Sequence, residues 1–273
     1  MKKHFITYAD ERFAEARDRI LTEAANTGEF DVVKAYGPND VSEDLKSSSV
    51  FSERRGGGYW SWKPDIILNE LACMNDGDIV VYADAGCELV SGKEWKRYWQ
   101  VLENKELIVQ RIYQINGKWT RKSVIEEFSE IPSEWLNKCQ FMAGVLIAKK
   151  TMNTRGLIDE WRRYMITKPD LVRDVQASML KEELPCFIAN RHDQTILTAL
   201  IFKYLYSKRA EFIADQWEHV ENQSLFRSQV IRAMRWNSSK PIPLGRRLKE
   251  IAIRIGKDLL RKPFYVIKEA MAN

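Results

Sequence analysis

The stretch Asp78-Ile79-Val80-Val81-Tyr82-Ala83-Asp84-Ala85-Gly86 decides how the rest of the chain is read. Its apolar run, set between the turn Asn75-Asp76-Gly77 and an Asp-Ala-Gly segment, predicts a short strand buried on both faces. Strands of that kind sit inside α/β sheets, where ligands bind just beyond the carboxyl ends of the strands. Asp84 and Gly86 are therefore candidates for chemistry. The carboxylate suits a hard divalent cation, and the glycine lets a ligand approach the backbone. A plain turn that ends the strand fits the same residues.

The flanking sequence supports such a sheet. His4–Tyr8 and Asp31–Tyr36 read as strands, with Phe13, Ala16, Ile20, Leu21 and Ala24 at helical spacing between them and Gly28 placed as a stop. Pro64 fits the first turn of a helix with apolar face Ile67, Leu71 and Met74, and Ser91 with Glu94 predicts a capping box for a helix to about Lys105. Beyond it, Leu107–Ile115 and Lys118–Ile125 around Asn116-Gly117 predict a β-hairpin, and Phe141–Ala148 a further strand. Helices are expected at about 151–167, 170–184 and 192–206. The division is a body over 1–239 and a helical tail over 240–273.

Composition excludes several classes. With 45% hydrophobic and 11% aromatic residues the chain buries a sizeable core. No apolar run reaches the roughly 18–20 residues of a membrane span, and no signal-peptide pattern opens the sequence. Cys73, Cys87, Cys139 and Cys186 lack metal-site spacing and read as small buried hydrophobes in a reducing, cytoplasmic setting. The net charge of +5 is localised: nine basic and three acidic residues make 240–273 a +6 segment and leave the body at −1. That distribution argues against nucleic acid as a partner. In the tail, Leu244, Leu248, Ile251, Ile255 and Leu259 form one stripe with most cations off it, a pattern that suits either an anionic membrane surface or a helix packed on the body.

Two other segments could carry chemistry. In Arg54–Pro64, three glycines predict a mobile loop, Tyr59, Trp60 and Trp62 offer stacking faces, and Arg54, Arg55 and Lys63 offer cations for phosphate. An ordinary loop with its aromatics in the core is the competing reading. Arg191-His192-Asp193-Gln194 opens an apolar helix, where Asp193 either caps or, with Gln194, meets sugar hydroxyls. Hydrolase signatures are missing: there is no Gly-x-Ser-x-Gly elbow and no HExxH, and the histidines are His4, His192 and His219.

In this order, these segments resemble GT-A-fold glycosyltransferases, most nearly the retaining galactosyltransferase and glycogenin-like group, over roughly residues 4–206. Thr7-Tyr8-Ala9-Asp10 is similar to that group's nucleotide-holding first strand and turn, and Lys63 to its basic residue near the donor phosphate. Val81–Gly86 stands at the metal-binding DxD strand end, Phe141–Ile147 with Gly144 resembles the strand lining the sugar pocket, and Asp193-Gln194 resembles the Asp-Gln element at the reaction centre. Gly57–Pro64 also resembles bacterial capsule and lipopolysaccharide transferases.

The resemblance implies a mixed, Rossmann-like α/β sheet flanked by helices and a nucleotide-sugar donor, UDP-linked. Thr7, Tyr8, Asp10, Trp60, Lys63, Asp84, Gly86 and Gly144 would bind the donor, with Asp193 and Gln194 catalytic. Asp84 would hold Mn²⁺ or Mg²⁺, although Asp84-Ala85-Gly86 lacks the second carboxylate of DxD: either Glu88 substitutes for it or metal dependence is weak or absent, and His219 is a candidate ligand in place of the family's late His-containing metal segment. Met142 replaces the family's Asn. The acceptor would be a surface-polysaccharide or lipid-linked glycan at the inner face of the cell membrane, reached through the basic tail. The competing functions are a non-catalytic carbohydrate-binding protein and a sugar nucleotidyltransferase. The latter needs a Gly-rich basic loop after the first strand, where Tyr8-Ala9-Asp10-Glu11-Arg12 stands instead.

Overall fold

The computed structural model describes residues 1–207, 213–217, 229–240, 242–246, 248–249 and 252–253. Its centre is a mixed sheet of β1 (Lys3–Tyr8), β2 (Val32–Tyr36), β3 (Ile79–Ala83), β5 (Leu107–Ile115), β6 (Cys139–Phe141), β7 (Val145–Lys149) and β8 (Ile213–Trp217). The order is β2-β1-β3-β7-β5-β6, with β8 also on β5. A separate ribbon pairs β4 (Glu88–Leu89) with β9 (Ile231–Arg232). Strands β2, β1 and β3 run parallel, while β7 lies antiparallel to β3. This is the α/β, mixed-sheet arrangement expected.

Alternation along β3 positions the site. Val80 and Tyr82 face one core layer, packed with the Trp62–Cys73, Met152–Thr167 and Asp193–Tyr206 helices. Ile79, Val81 and Ala83 face the other, with the Ala14–Thr27 and Glu94–Asn104 helices. Asp84, two residues past Tyr82, continues the period-2 pattern onto Tyr82's side, and the Tyr82 hydroxyl donates to its carboxylate.

The Trp62–Cys73 helix is fixed by two buried carboxylates. Glu70 is bonded to His4 Nδ1 on β1 and the Tyr36 hydroxyl on β2, each at 2.5 Å. Asp65 takes Arg162 Nε of the Met152–Thr167 helix at 2.5 Å and the Ser42 backbone N–H at 2.8 Å. Losing a partner inside such networks leaves a buried charge unmatched, so the helix start is rigidly placed.

Several expectations are corrected. Asn116-Gly117 forms no hairpin: Asn116–Trp119 and Lys122–Glu127 are helical turns, because buried Asn116 donates from its amide to the Trp135 carbonyl while β5 already pairs with β6, β7 and β8. Phe141–Ala148 is interrupted at Met142–Gly144, which splits it into β6 and β7 along β5. The 170–184 segment is only short 3₁₀ turns, and Ala177–Glu182 buries nothing that would hold a helix. Ser91 caps nothing, as Lys93 precedes the helix at Glu94. Cys87 and Cys139 are buried as expected, whereas Cys73 and Cys186 are exposed. Gly56, Gly57 and Gly58 form no open loop but a compact turn with φ of 59°, 58° and 91°.

At the 239/240 division, Ile242 is buried and Arg246 donates to the Met234 carbonyl. Leu244 and Leu248 are exposed, while Ile251, Ile255 and Leu259 of the stripe lie outside the described residues, as does His219. No helix among the described residues is long and apolar enough to cross a membrane.

Two glycines separate conformational strain from lack of space. A Cβ on Gly28 (φ 70°) meets nothing within 4 Å, whereas one on Gly58 lies 2.8 Å from Phe51 Cα. Gly28→Ala should therefore cost about 1–2 kcal/mol, the left-handed penalty alone, and Gly58→Ala distinctly more. Urea denaturation of the two variants measures the difference.

Candidate active site

Three side chains from three elements meet at the carboxyl end of β3. Lys63, at the start of its helix, is only 4% exposed. Its Nζ lies 2.9 Å from Asp193 Oδ2 and 3.4 Å from Asp84 Oδ1. Asp193 is the first residue of its helix and is buried, while the Asp84 side chain is 39% exposed. Trp60 and Trp62 present their rings to the ammonium at 5.9 and 5.7 Å.

Burial alone would strip Lys63 of its proton, but Asp193 and Asp84 outweigh it and hold the amine's pKa above its ordinary value. Asp193 is pushed up to about 6, first by burial and further by Asp84, with Lys63 pulling the other way. His192, between Arg191 and Asp193, has its pKa lowered by burial. The centre thus holds two carboxylates against one ammonium.

Gly144 is required here. A Cβ would sit 2.8 Å from Asp84 Oδ2, and the Gly144 carbonyl accepts from the Asp84 backbone N–H at 2.9 Å. The break between β6 and β7 thus gives Asp84 its seat.

Other predicted residues divide into those near this centre and those with internal duties. Trp60 lies against His192, ring centroids 5.4 Å apart and nearly parallel. Tyr8 stacks on Trp62 at 3.9 Å, and its hydroxyl pKa is raised to about 12 by burial and by Asp10. Asp10 caps the turn Glu11–Phe13 and pairs with Arg12. Thr7 is fully buried and donates to the Ala83 carbonyl at 2.8 Å, so it ties β1 to β3 rather than meeting a ligand. Gln194 donates to the side-chain oxygens of Gln140 and Gln114 at 2.6 and 3.2 Å. Arg54 and Arg55 are exposed, and Arg55 pairs with Asp174 at 3.1 Å.

Gly86 also departs from expectation. A Cβ there would meet Arg235 Cα at 3.3 Å, and the Gly86 carbonyl accepts from the Trp236 N–H at 3.0 Å. What approaches Gly86 is the protein's own chain. Arg19 secures that junction, donating to the carbonyls of Ala85, Cys87 and Trp236 at 2.9, 2.8 and 3.3 Å. Sequence reasoning missed Arg19, whose one signal is a cation on the inward stripe beside Ala16 and Ile20.

The donor set does not fit a divalent ion shared by two carboxylates. The place between Asp84 and Asp193 belongs to the Lys63 ammonium. Glu88, the expected substitute, is buried and ion-paired to Arg232 at 3.1 Å. Among the described residues no three His, Cys, Asp or Glu side chains form a metal-holding group.

No protein-family model and no curated protein matches this chain. Solved structures do. The galactosyltransferase LgtC, in complex with donor and acceptor sugar analogs, is 17% identical, with 72% of this chain and 70% of that chain covered and a TM-score of 0.34. Mouse xyloside xylosyltransferase 1 is 12% identical, covering 89% and 100%, with a TM-score of 0.42. The WbbM bifunctional glycosyltransferase is 12% identical, covering 73% and 37%, with a TM-score of 0.40. All three are glycosyltransferases.

Removing the shared cation should expose the balance. Lys63→Met should destabilise the fold by about 3–5 kcal/mol at pH 7.5, because Asp193 is left buried and unpaired. The pH dependence follows from Asp193. Its folded pKa lies above its ordinary value of 3.8, so the folded state holds more protons and stability falls as pH rises from about 4 through about 6. Without Lys63 the pKa rises further and the falling limb extends upward, so the loss relative to wild type should be smaller at pH 5. Denaturant titration at the two pH values checks this.

Proposed function

We propose that this chain is a glycosyltransferase that moves a sugar from a nucleotide-diphosphate donor to a growing surface-polysaccharide or lipid-linked glycan acceptor. One observation carries the reading: Asp193, raised to about 6, is held by Lys63 beside Asp84 at the strand end where α/β folds take their ligands. Perturbed carboxylates in such a place are suited to proton transfer or to stabilising developing positive charge. Tyr8, Asp10 and Trp60 would flank the nucleotide, and Gln194, through Gln140 and Gln114, would set the wall beside the sugar.

In the reaction, the bond from the anomeric carbon to the donor diphosphate breaks, and the diphosphate leaves with the electron pair. A bond to the acceptor oxygen forms. In an inverting course, Asp193 takes the acceptor hydroxyl's proton. In a retaining course, its carboxylate stabilises the oxocarbenium-like sugar and the acceptor hydroxyl's proton passes to an oxygen of the departing diphosphate. Product stereochemistry separates the two. Lys63 keeps Asp193 ionised and oriented in either course, and no step is assigned to a metal.

The test is release of nucleoside diphosphate from a panel of nucleotide sugars. Turnover should appear with at least one donor, persist in chelator, rise with pH through about 6, and fall about 10²–10⁴-fold in Asp193→Asn with the fold intact. Glycan binding with no donor turnover would establish the non-catalytic alternative instead.

The membrane role rests on the localised charge of the tail and on exposed Leu244 and Leu248. Removing residues 247–273, which leaves buried Ile242 in place, should weaken binding to anionic vesicles while donor binding is kept. Co-sedimentation compares the two chains. Equal vesicle binding would remove the cytoplasmic-face, peripheral assignment.

A further inference from the structure

The centre as built is poorly suited to an anionic ligand. Asp84 and Asp193 carry two negative charges, Lys63 offsets one, and His192 is kept from protonating by its burial. A diphosphate placed there meets a net negative field, and among the described residues no second cation lies between the carboxylates to reverse it. If the proposed function holds, the positive charge must come from elsewhere in the pocket.

Two guanidiniums supply it. Arg191 directly precedes His192 and Asp193, and its plane lies 4.5 Å over the Trp119 ring. Its Nε donates to Gln114 Oε1 at 3.1 Å, a neutral acceptor, and its terminal amino groups have no partner among the described residues. Arg235 sits on the other flank, its Cα against the open face of Gly86 in the turn that carries Asp84. It too lacks a carboxylate partner among the described residues. Arg191 feels Arg235 as a like charge, and burial together with that repulsion lowers its pKa. Asp193 pulls the Arg191 pKa the other way, yet neither arginine forms an ion pair among the described residues, so both guanidiniums remain available to an anion.

Backbone geometry marks the same place. Among the described residues, the non-glycine residues with positive φ are Tyr59, Trp60, His192 and Arg235. The first three border Lys63 and Asp193, and Arg235, at φ 51°, borders Asp84 through Gly86. Strain of this kind persists only where the surroundings enforce it.

We infer that Arg191 and Arg235 form the binding site for the diphosphate of the donor, spanning the Asp193 helix start and the Asp84–Gly86 turn. The inference rests on the glycosyltransferase reading. Planar guanidiniums make paired hydrogen bonds to phosphate oxygens, stabilise the ground state, and take up the negative charge that grows on the leaving group. Asp193 is thereby left for the sugar.

The test is calorimetric titration of the full chain with uridine, guanosine and adenosine diphosphates, their nucleosides, and inorganic pyrophosphate, in chelator. Arg191→Gln and Arg235→Gln should each weaken diphosphate and pyrophosphate binding at least about tenfold, with binding of the nucleoside unchanged. Arg235→Lys, which keeps the charge, should recover part of the loss. Arg235 is exposed and carries the test even if Arg191→Gln unfolds. Diphosphate binding by the wild type that stays within twofold in both Gln variants would overturn this site and leave the glycosyltransferase reading standing. Failure of the wild type to bind any diphosphate or pyrophosphate would overturn both.

Discussion

One buried ammonium shared by two carboxylates is the constraint around which the rest of this molecule is arranged. Lys63 keeps its charge in the interior through Asp193 and Asp84, both within reach. That demand reaches far into the fold. The helix carrying Lys63 is tied to β1 and β2 through Glu70 and to its neighbour through Asp65. The strand leading to Asp84 must keep its alternation, and the β6–β7 break must place a residue without a Cβ at position 144. A shift in any one of them leaves a charge buried without its partner.

The same constraint shapes the chemistry. An ammonium fixed between two carboxylates cannot be donated fully to a phosphate, and it occupies the place a shared metal ion would take. What it supplies is a buried carboxylate at Asp193 whose pKa is raised to about 6. The positive charge without an ion-pair partner among the described residues lies on the flanks, at Arg191 and Arg235. A donor would then lie with its diphosphate across the flanking arginines and its sugar toward Asp193. Binding and bond making fall to different cations, each held by a different part of the chain.

Much of this could be read in the sequence because the signals were local. The all-apolar run at 79–82, the left-handed stop at Gly28 and the proline start at Pro64 depend on nearest neighbours, and the structure keeps them. The Asn116-Gly117 hairpin failed because a turn dipeptide makes a hairpin only if the strand edge is vacant, and β5 has its edges filled by chain segments distant in sequence. The 170–184 helix failed because helical spacing without a face to bury gains too little to offset its ordering. At the site, Asp84 and Asp193 were legible as polar residues at the ends of apolar elements, Lys63 as a cation of the glycine-rich segment, and Gly144 through the family resemblance alone. Their mutual pairing was not, since it joins residues 63, 84 and 193. The roles of Gly86, Glu88 and Arg19 were hidden for a related reason: each is set by residues 232–238, which return to the sheet from more than 140 positions away.

A crystal structure with an intact nucleotide-sugar analogue, grown in the presence of Mg²⁺ or Mn²⁺, tests the account most directly. The account predicts the diphosphate oxygens on the Arg191 and Arg235 guanidiniums, the anomeric carbon facing Asp193, and Lys63 still between Asp84 and Asp193. A metal ion lodged between those two carboxylates with Lys63 displaced, or the analogue bound away from the end of β3, would contradict it.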